Sequence, residues 1–309
     1  MPHISETASG VYVIAVTPFT DQGAIDSASL DSMVDFYLDK GATGLTLLGM
    51  MGEAPKLTAA ESLAIVKQVL GRVSGRVPVV VGVSAPGFAP LKELSDQVMD
   101  AGASGVMIAP PSSLRTDDQI YAYFETAAAM LGDIPFVLQD YPLATGVQIS
   151  ASVILRVVRN LPSCVMLKHE DWPGLNKIGA LRAASDRGET RRISILCGNG
   201  GVFLPEELSR GADGAMTGFA YPEMMVDVCK AHAAGDVERA HDLFDAYLPL
   251  ARYELQPGLG LQIRKHILAK RGVIASAALR APAGRLSTGD IGDIERLIER
   301  QERRLAALA

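Results

Sequence analysis

Residues 136–170 read FVLQDYPLATGVQISASVILRVVRNLPSCVMLKHE, and this segment contains the pattern that predicts the fold. It contains two short apolar runs, 136–141 and 165–170, each of which predicts a β-strand. Residues 150–160 lie between them and have a helical pattern. Two strands joined by a helix run parallel in one sheet. Continuous apolar runs of this kind are typical of parallel strands that are buried on both faces.

The same alternation of strand and helix repeats along most of the chain. Strands are predicted at residues 11–17, 45–48, 77–83, 105–109, 136–141, 165–170, 193–197 and 214–218. Helices are predicted at residues 29–40, 58–70, 90–101, 117–131, 150–160, 175–185, 203–210 and 222–234. Eight such units predict an α/β fold, a (β/α)8 TIM barrel, rather than an open sheet.

Three further helices are predicted after the eighth unit, at residues 237–252, 259–271 and 290–307. We therefore expect a barrel over residues 1–236 and a helical C-terminal extension over residues 237–309, packed on the barrel as one structural unit. Thr58 and Glu61 have the spacing of a capping box at the start of the second helix.

Composition excludes several classes of protein. With 309 residues, 48% of them hydrophobic, and a net charge of −6, the chain lacks the basic character of nucleic-acid-binding proteins and of proteins that bind acidic membranes. No apolar run is long enough for a transmembrane helix or a signal peptide. The three cysteines are far apart and do not cluster with histidine, so we expect neither disulfides nor a zinc site. Free cysteines fit a reducing compartment, and we therefore expect a cytoplasmic protein.

Lys168 is the first candidate for chemistry, because it ends the sixth strand and TIM-barrel active sites lie at the carboxyl ends of the strands. A charged amine is costly to bury in an apolar strand, and a neutral amine is a good nucleophile for carbonyl carbons. The alternative is a solvated lysine at the strand end. Glu170 lies on the same face of the strand and could move protons or hold a substrate, or it could only cap a helix or pair with a neighbour.

The ends of the other strands add candidates. Gln139 and Tyr141 share one face of the fifth strand, whereas Asp140 lies on the opposite face, where it could pair with His169 in a structural contact. Glycine-rich exits leave room for a ligand after three further strands. These exits are Gly49-Met50-Met51-Gly52, Gly198-Asn199-Gly200-Gly201 and Met216-Thr217-Gly218.

The order of these motifs resembles the dihydrodipicolinate synthase / N-acetylneuraminate lyase family. The resemblance rests on Val16-Thr17-Pro18-Phe19, Gly49-x-x-Gly52-Glu53, Pro142, Thr145-Gly146 and Lys168, and it extends from about residue 10 into the C-terminal helices. It implies that Lys168 forms a Schiff base with a 2-oxo acid and that the protein is a homo-oligomer, a tetramer or a dimer. It also implies that no metal or organic cofactor is needed, because the lysine itself supplies the electrophile.

Some positions depart from the synthase and lyase pattern. Met50 and Met51 replace the hydroxylated residue that binds the pyruvate carboxylate, Gln139 replaces the strand-5 tyrosine, Ala144 replaces the arginine for the second substrate, and Ser113 replaces a second tyrosine. Instead, the motifs of the fifth and sixth strands are similar to those of the 2-keto-3-deoxy-L-arabonate dehydratases, which eliminate water from the same kind of imine. These motifs are Gln139-Asp140-x-Pro142, Lys168-x-Glu170 and Pro173-Gly174.

The resulting hypothesis is dehydration of a 2-keto-3-deoxy sugar acid on Lys168. Glu170 is the candidate base or acid, and Tyr141 is a candidate hydroxyl donor. The candidate substrate-binding residues are Gln139, Gly198, Met216 and the backbone of Met50 and Met51. Two alternatives stay open: pyruvate-dependent aldol chemistry on the same lysine, and a non-catalytic ligand-binding barrel.

Overall fold

The structure is a computed structural model that describes residues 2–171 and 174–308. Its centre is a closed barrel of eight parallel strands that follow one another in sequence order around the ring. The strands are β1 (Gly10–Ile14), β2 (Gly44–Leu47), β3 (Val79–Gly82), β4 (Gly105–Ile108), β5 (Phe136–Asp140), β6 (Cys164–His169), β7 (Ser194–Cys197) and β8 (Gly214–Ala215). The predicted (β/α)8 barrel is thereby confirmed.

Helices surround the barrel and continue beyond it. They are α1 (Ser27–Asp39), α2 (Ala59–Val73), α3 (Phe88–Asp100), α4 (Asp117–Leu131), α5 (Pro142–Thr145), α6 (Ala151–Asn160), α7 (Leu175–Asp186), α8 (Leu204–Ser209), α9 (Pro222–Ala233), α10 (Val237–Glu254), α11 (Gly260–Lys270) and α12 (Thr288–Leu308). Single 3-10 turns occupy Met50–Gly52, Ala54–Lys56 and Asn199–Gly201. Within the described ranges, no helix combines the length and the apolar character needed to cross a bilayer.

The main difference from the predicted elements is at the end of the barrel. β8 stops after two residues, whereas residues 214–218 are predicted as strand. The chain still gives single ladder hydrogen bonds beyond that point, since the Met216 amide donates to Cys197 O at 2.8 Å and Thr217 O accepts from the Ile14 amide at 2.9 Å. The Gly218 carbonyl, by contrast, accepts a hydrogen bond from the guanidinium of Arg264 rather than from a neighbouring strand.

Two apolar clusters hold the fold together. The larger cluster lies between the strands and the surrounding helices. The smaller one fills the barrel interior with Ile4, Tyr12, Ile14, Val80, Met107, Val137, Met166, Leu196 and Met216. The Tyr12 ring occupies the space in which a side chain on Gly44 would stand. The barrel is therefore a packed core, and a ligand can enter only above it.

Local signals agree with the helix boundaries. Thr58 accepts a hydrogen bond from the Glu61 amide, and the Glu61 carboxylate accepts one from the Thr58 amide, which is the predicted capping box. The short helix α5 was not predicted. It begins at Pro142, which is favoured in a first turn, and ends at Gly146 in the left-handed conformation.

The helices after residue 236 pack onto the mouth of the barrel. Lys265 on α11 is fully buried, and its Nζ donates to Glu53 Oε1 at 2.7 Å in the loop after β2. The Arg280 amide donates to the other oxygen of the same carboxylate at 3.1 Å. The predicted boundary between residues 236 and 237 falls between α9 and α10. The extension therefore supplies side chains to the end of the barrel where the candidate site lies.

Candidate active site

Lys168 stands in the barrel mouth, close to the end of β6. Its neighbour on the same face, Met166, belongs to the interior cluster, so Lys168 lies above the packed interior. The side chain is only 4% exposed. Its Nζ lies 3.0 Å from Oε2 of Glu170, which is equally buried. The solvated-lysine alternative does not describe this residue, because the amine is enclosed with a carboxylate as its partner.

Gln139 joins this pair from the neighbouring strand. It lies opposite Lys168 in the register of β5 and β6. Its Nε2 donates to Glu170 Oε2 at 2.7 Å. A single carboxylate oxygen is therefore paired with the amine and accepts a hydrogen bond from the amide, which fixes its position beside the amine. Lys168, Glu170 and Gln139 are brought together as a buried cluster, which we call the lysine cluster.

Gly198 leaves space in a way that sequence reasoning missed. It follows β7, and its amide donates to the His169 carbonyl at 2.8 Å. A Cβ at this position would overlap the Cγ of Glu170. The space left by the missing side chain is therefore occupied by Glu170, and Gly198 is not part of the cavity lining. Asn199, in the left-handed conformation, donates from Nδ2 to the Glu170 carbonyl at 3.1 Å and supports the same residue.

Asp140 and His169 meet on the helix-facing side of β5 and β6, as predicted. His169 Nδ1 lies 3.6 Å from Asp140 Oδ2. The stronger partner of Asp140 is Lys177 on α7, whose Nζ lies 2.7 Å from the same oxygen and also donates to the Ile149 carbonyl at 2.6 Å. Sequence analysis missed Lys177, because a lysine on an outer helix gives no local sign that it turns inward. Asp140, His169 and Lys177 thus connect β5, β6 and α7 on the helix-facing side of the barrel.

A cavity of about 410 Å³ opens above the lysine cluster. Its walls come from the ends of the strands and from α10 and α11 of the extension. Six of the predicted site residues line it, namely Met50, Met51, Gln139, Tyr141, Lys168 and Glu170. Met216 does not line it, because its side chain is fully buried in the barrel interior. Of the dehydratase motif on the sixth strand, Pro173 lies outside the described residues.

Tyr141 presents a phenol to this cavity. Burial raises its pKa above the usual value, the negative charge of Glu170 raises it further, and the positive charge of Arg264 lowers it. The phenol is therefore neutral at physiological pH and can donate a hydrogen bond. Tyr141 lines the cavity together with Glu170 from the strand side and Arg264 from the extension side.

The turn after β2 places Met50 and Met51 on the cavity wall. The amides of Gly52 and Glu53 close the 3-10 turn onto Gly49 O and Met50 O, and Thr17 Oγ1 fixes it by donating to Gly52 O at 2.6 Å. Over the described part of the chain, the amides of Met50 and Met51 donate to no protein acceptor. These amides can therefore donate to a ligand.

Two charged residues of the extension complete the wall, and sequence analysis did not single them out. Arg264 on α11 donates from Nε to Glu254 Oε1 at 2.6 Å and from Nη2 to the Gly218 carbonyl. The other oxygen of Glu254 accepts from the Ala220 amide at 3.0 Å. A signal was present, because Arg264 lies on the face of α11 between Ile267 and Leu268, which are both fully buried.

Metal-ligating side chains do not converge in this site. Across residues 2–171 and 174–308, no three histidine, cysteine, aspartate or glutamate side chains come close enough together to hold a metal ion.

Comparison with known proteins gives relatives over nearly the whole chain. L-2-keto-3-deoxyarabonate dehydratase of Azospirillum brasilense is 31% identical over 278 residues, 88% of each chain. 4-Hydroxy-tetrahydrodipicolinate synthase of Pseudomonas putida (strain W619) is 26% identical over 284 residues, 91% of this chain and 94% of the relative. The crystal structure of dihydrodipicolinate synthase from Rhodopseudomonas palustris is 51% identical, with a TM-score of 0.95 over 97% of this chain and 100% of that one.

The sequence model of the dihydrodipicolinate synthetase family matches residues 7–301. The named relatives are a dehydratase and synthases, and both kinds of enzyme are lyases. Their activities argue against the alternative of a non-catalytic ligand-binding barrel. The protein is therefore a member of the dihydrodipicolinate synthetase family and a lyase that acts on a 2-oxo acid.

Proposed function

We propose that the enzyme dehydrates a 2-keto-3-deoxy sugar acid, such as 2-keto-3-deoxyarabonate, through an imine on Lys168. The observation that carries the proposal is the lysine cluster, in which a buried amine, a carboxylate 3.0 Å away and an amide share the floor of one cavity. It combines a carbonyl nucleophile with a proton acceptor and contains no side chain from the phenol relay of the synthases.

The amine of Lys168 attacks C2 of the substrate, and the resulting carbinolamine loses its hydroxyl as water to give a protonated imine. The imine withdraws electrons and makes a proton on C3 acidic. Glu170, whose carboxylate lies beside the imine nitrogen, takes that proton and leaves an enamine. The enamine expels the C4 hydroxyl, which leaves as water with the proton that Glu170 returns. Hydrolysis of the new imine consumes one water and frees Lys168, so the net reaction removes one water.

Binding of the substrate carboxylate is assigned to the backbone amides of Met50 and Met51. They are unpaired at the cavity wall, and the turn that carries them is held by Thr17. Backbone amides of this kind can replace the hydroxyl donor whose position these methionines occupy. The fixed turn keeps the two donors in place before the substrate arrives.

Gln139 and Tyr141 take supporting roles. Gln139 donates to Glu170 and cannot carry a proton, so it orients the base rather than relaying charge. Tyr141 is a neutral phenol near the same carboxylate and donates a hydrogen bond to a substrate oxygen. Gly198 contributes by giving Glu170 the room to adopt this position.

A second candidate function is pyruvate-dependent aldol chemistry on the same lysine. It is favoured by the 51% identical structure, which is described as a dihydrodipicolinate synthase. Dehydration is preferred here because the strand-5 tyrosine of the synthase pattern is Gln139 and because a dehydratase is 31% identical over 88% of the chain.

Borohydride trapping tests the imine. The enzyme is incubated with pyruvate or 2-keto-3-deoxyarabonate, reduced, and weighed intact by mass spectrometry. We expect one adduct in the wild type and in Lys67→Met, a control at an exposed lysine of α2, but none in Lys168→Met. An adduct that survives in Lys168→Met, or the absence of any adduct in the wild type, would overturn the imine on Lys168.

Product analysis distinguishes the two reactions. Dehydration converts 2-keto-3-deoxyarabonate into a product lighter by one water, whereas retro-aldol cleavage releases pyruvate, which lactate dehydrogenase detects. Release of pyruvate with no dehydrated product would replace the dehydratase by the aldolase.

We also propose that the protein is a homo-oligomer, either a tetramer or a dimer. Leu143 and Met50 support this, because both are exposed apolar side chains at the cavity mouth, 69% and 44% exposed respectively. A second copy is one way to cover such a surface. Light scattering coupled to size-exclusion chromatography tests the proposal, which a monomeric mass at micromolar concentration would contradict.

A further inference from the structure

One nitrogen of Arg264 is buried without a hydrogen-bond partner. The side chain is 4% exposed, and its Nε and Nη2 donate to Glu254 and to the Gly218 carbonyl. Nη1 has no acceptor among the described residues. Leaving a charged donor unpaired and buried is costly, and native structures rarely do so without a ligand or a water. An oxygen from outside the protein is therefore the expected partner.

The position of this nitrogen identifies where that oxygen comes from. Arg264 and Gly218 both line the cavity above Lys168. Gly218 lets the guanidinium approach, because a Cβ there would overlap Nη1. Tyr141, Glu170 and Arg264 line this same cavity. A substrate that is bound covalently at Lys168 therefore shares the cavity with the Arg264 guanidinium.

The charge around Nη1 determines what kind of oxygen fits. Glu254 is 3% exposed and its carboxylate lies 2.6 Å from Arg264 Nε, so the pair is neutral as a whole. A second carboxylate on the substrate would gain from Arg264 but would be repelled by Glu254. The C-terminal extension gives the cavity two further polar side chains, Gln256 and Gln262, and both are uncharged amides. A neutral hydroxyl accepts a hydrogen bond here without either penalty.

We propose that Arg264 is a specificity-determining residue, whose Nη1 donates to a neutral hydroxyl at the end of the substrate distant from the 2-oxo acid, and that the Arg264–Glu254 pair disfavours a second carboxylate there. The inference rests on the proposed function only for the direction in which the substrate lies. It narrows the substrate class to hydroxylated monocarboxylic 2-oxo acids and disfavours dicarboxylic ones.

Three five-carbon probes that differ only at C5 test the proposal. They are 5-hydroxy-2-oxopentanoate, 2-oxopentanoate and 2-oxoglutarate, which carry a hydroxyl, a methyl and a carboxylate at C5. None has a leaving group at C4, so binding can be measured by calorimetry without dehydration. A hydrogen bond from a charged donor predicts that the wild type binds the hydroxyl probe at least about 10-fold more tightly than the methyl probe. The carboxylate probe is expected to bind no better than the methyl probe.

Two variants change this preference in opposite ways. Gly218→Ala forces the guanidinium away, so the hydroxyl-to-methyl affinity ratio is expected to fall to about 1. Glu254→Gln leaves Arg264 uncompensated, so 2-oxoglutarate is expected to become the best ligand of the three. Arg182→Lys is the matched control, because Arg182 is also a buried arginine, paired with Asp213 at 2.5 Å outside the cavity. Its ratios are expected to equal those of the wild type.

The outcomes separate this inference from the imine. Trapping of pyruvate on Lys168 with equal affinity for the hydroxyl and methyl probes overturns the role of Arg264 alone. Tightest binding of 2-oxoglutarate by the wild type does the same, as does an unchanged hydroxyl-to-methyl ratio in Gly218→Ala. A hydroxyl preference that Gly218→Ala abolishes, without any trapping, supports Arg264 and overturns the imine. If none of the three probes binds to the wild type, the role of Arg264 is overturned, and the trapping of pyruvate alone decides the imine.

Discussion

The buried carboxyl of Glu207 on α8 gives a prediction about stability that can be worked from the structure. The residue is 8% exposed, and Oε2 has no hydrogen-bond partner among the described residues. Burial raises the pKa of Glu207 to about 8, with a smaller opposing effect from a hydrogen bond with the Cys197 thiol and small increases from the charges of Glu206 and Glu170. The folded protein therefore holds this carboxyl protonated at neutral pH, whereas the unfolded chain ionises it.

The direction of the effect follows from the raised pKa. The protonated carboxyl contributes to stability fully below the ordinary value of 4.5, and this contribution is lost as pH rises from 4.5 to about 8. The interval of about 3.5 pH units, at about 1.4 kcal/mol each, sets an upper limit of about 5 kcal/mol. Between pH 5 and pH 9, where most of the loss falls, the expected change is about 4 kcal/mol.

Glu207→Gln tests this prediction, because the amide has nearly the same shape and stays neutral at every pH. We expect the variant to be close to the wild type in its free energy of unfolding at pH 5 and several kcal/mol more stable at pH 9. Urea unfolding at pH 5, 7 and 9 measures the difference, and Glu302→Gln on the exposed face of α12 controls for the change in net charge. A difference between Glu207→Gln and the wild type that stays constant from pH 5 to pH 9 would refute the reasoning.

Three further substitutions have expected outcomes. Gly198→Ala puts a Cβ in the space of Glu170 and should lower the dehydration rate by at least about 100-fold, with an unchanged circular dichroism spectrum; an unaltered rate would show that Glu170 is not the proton acceptor. Lys265→Met removes the fully buried partner of Glu53 Oε1, while Lys56 and the Arg280 amide stay on Oε2; urea unfolding should give a loss of about 1–3 kcal/mol, and an unchanged stability would contradict this. Thr58→Ala removes the N-cap of α2 and should cost about 1 kcal/mol, seen calorimetrically as a midpoint lower by about 1–2 °C, and an unchanged midpoint would argue against the cap.

The parts of the fold and site that local patterns determine were predictable. A strand alternates its side chains, so the relation of Lys168 to Glu170 follows from their spacing alone, and so does the contact between Asp140 and His169 once β5 and β6 are adjacent. Apolar runs likewise predict strands, because burial on both faces leaves little choice of residue.

The parts that depend on distant segments were not predictable. Arg264 meets the loop after β8 across 46 residues of sequence, and no local pattern encodes that distance. The space at Gly198 has meaning only once the neighbouring strand places Glu170 there. Met216 has the alternation of a site residue, yet its height in the barrel comes from the stagger of the strands, which puts it in the packed interior.

The short last strand gives the extension a second task. β8 pairs with β1 at only two positions, so the barrel closes through a short strand pairing. The two strands lie so close there that a side chain at Gly214 would collide with the backbone of Gly10. Glu254 and Arg264 form hydrogen bonds with the backbone just beyond β8, at Ala220 and Gly218 respectively. A protein is made from its N-terminus, so all eight strands leave the ribosome before these two residues do. These two contacts and the far wall of the active site are therefore formed late in synthesis. With the proposed role of Arg264, a nascent chain that already contains Lys168 still lacks the residue that selects the substrate.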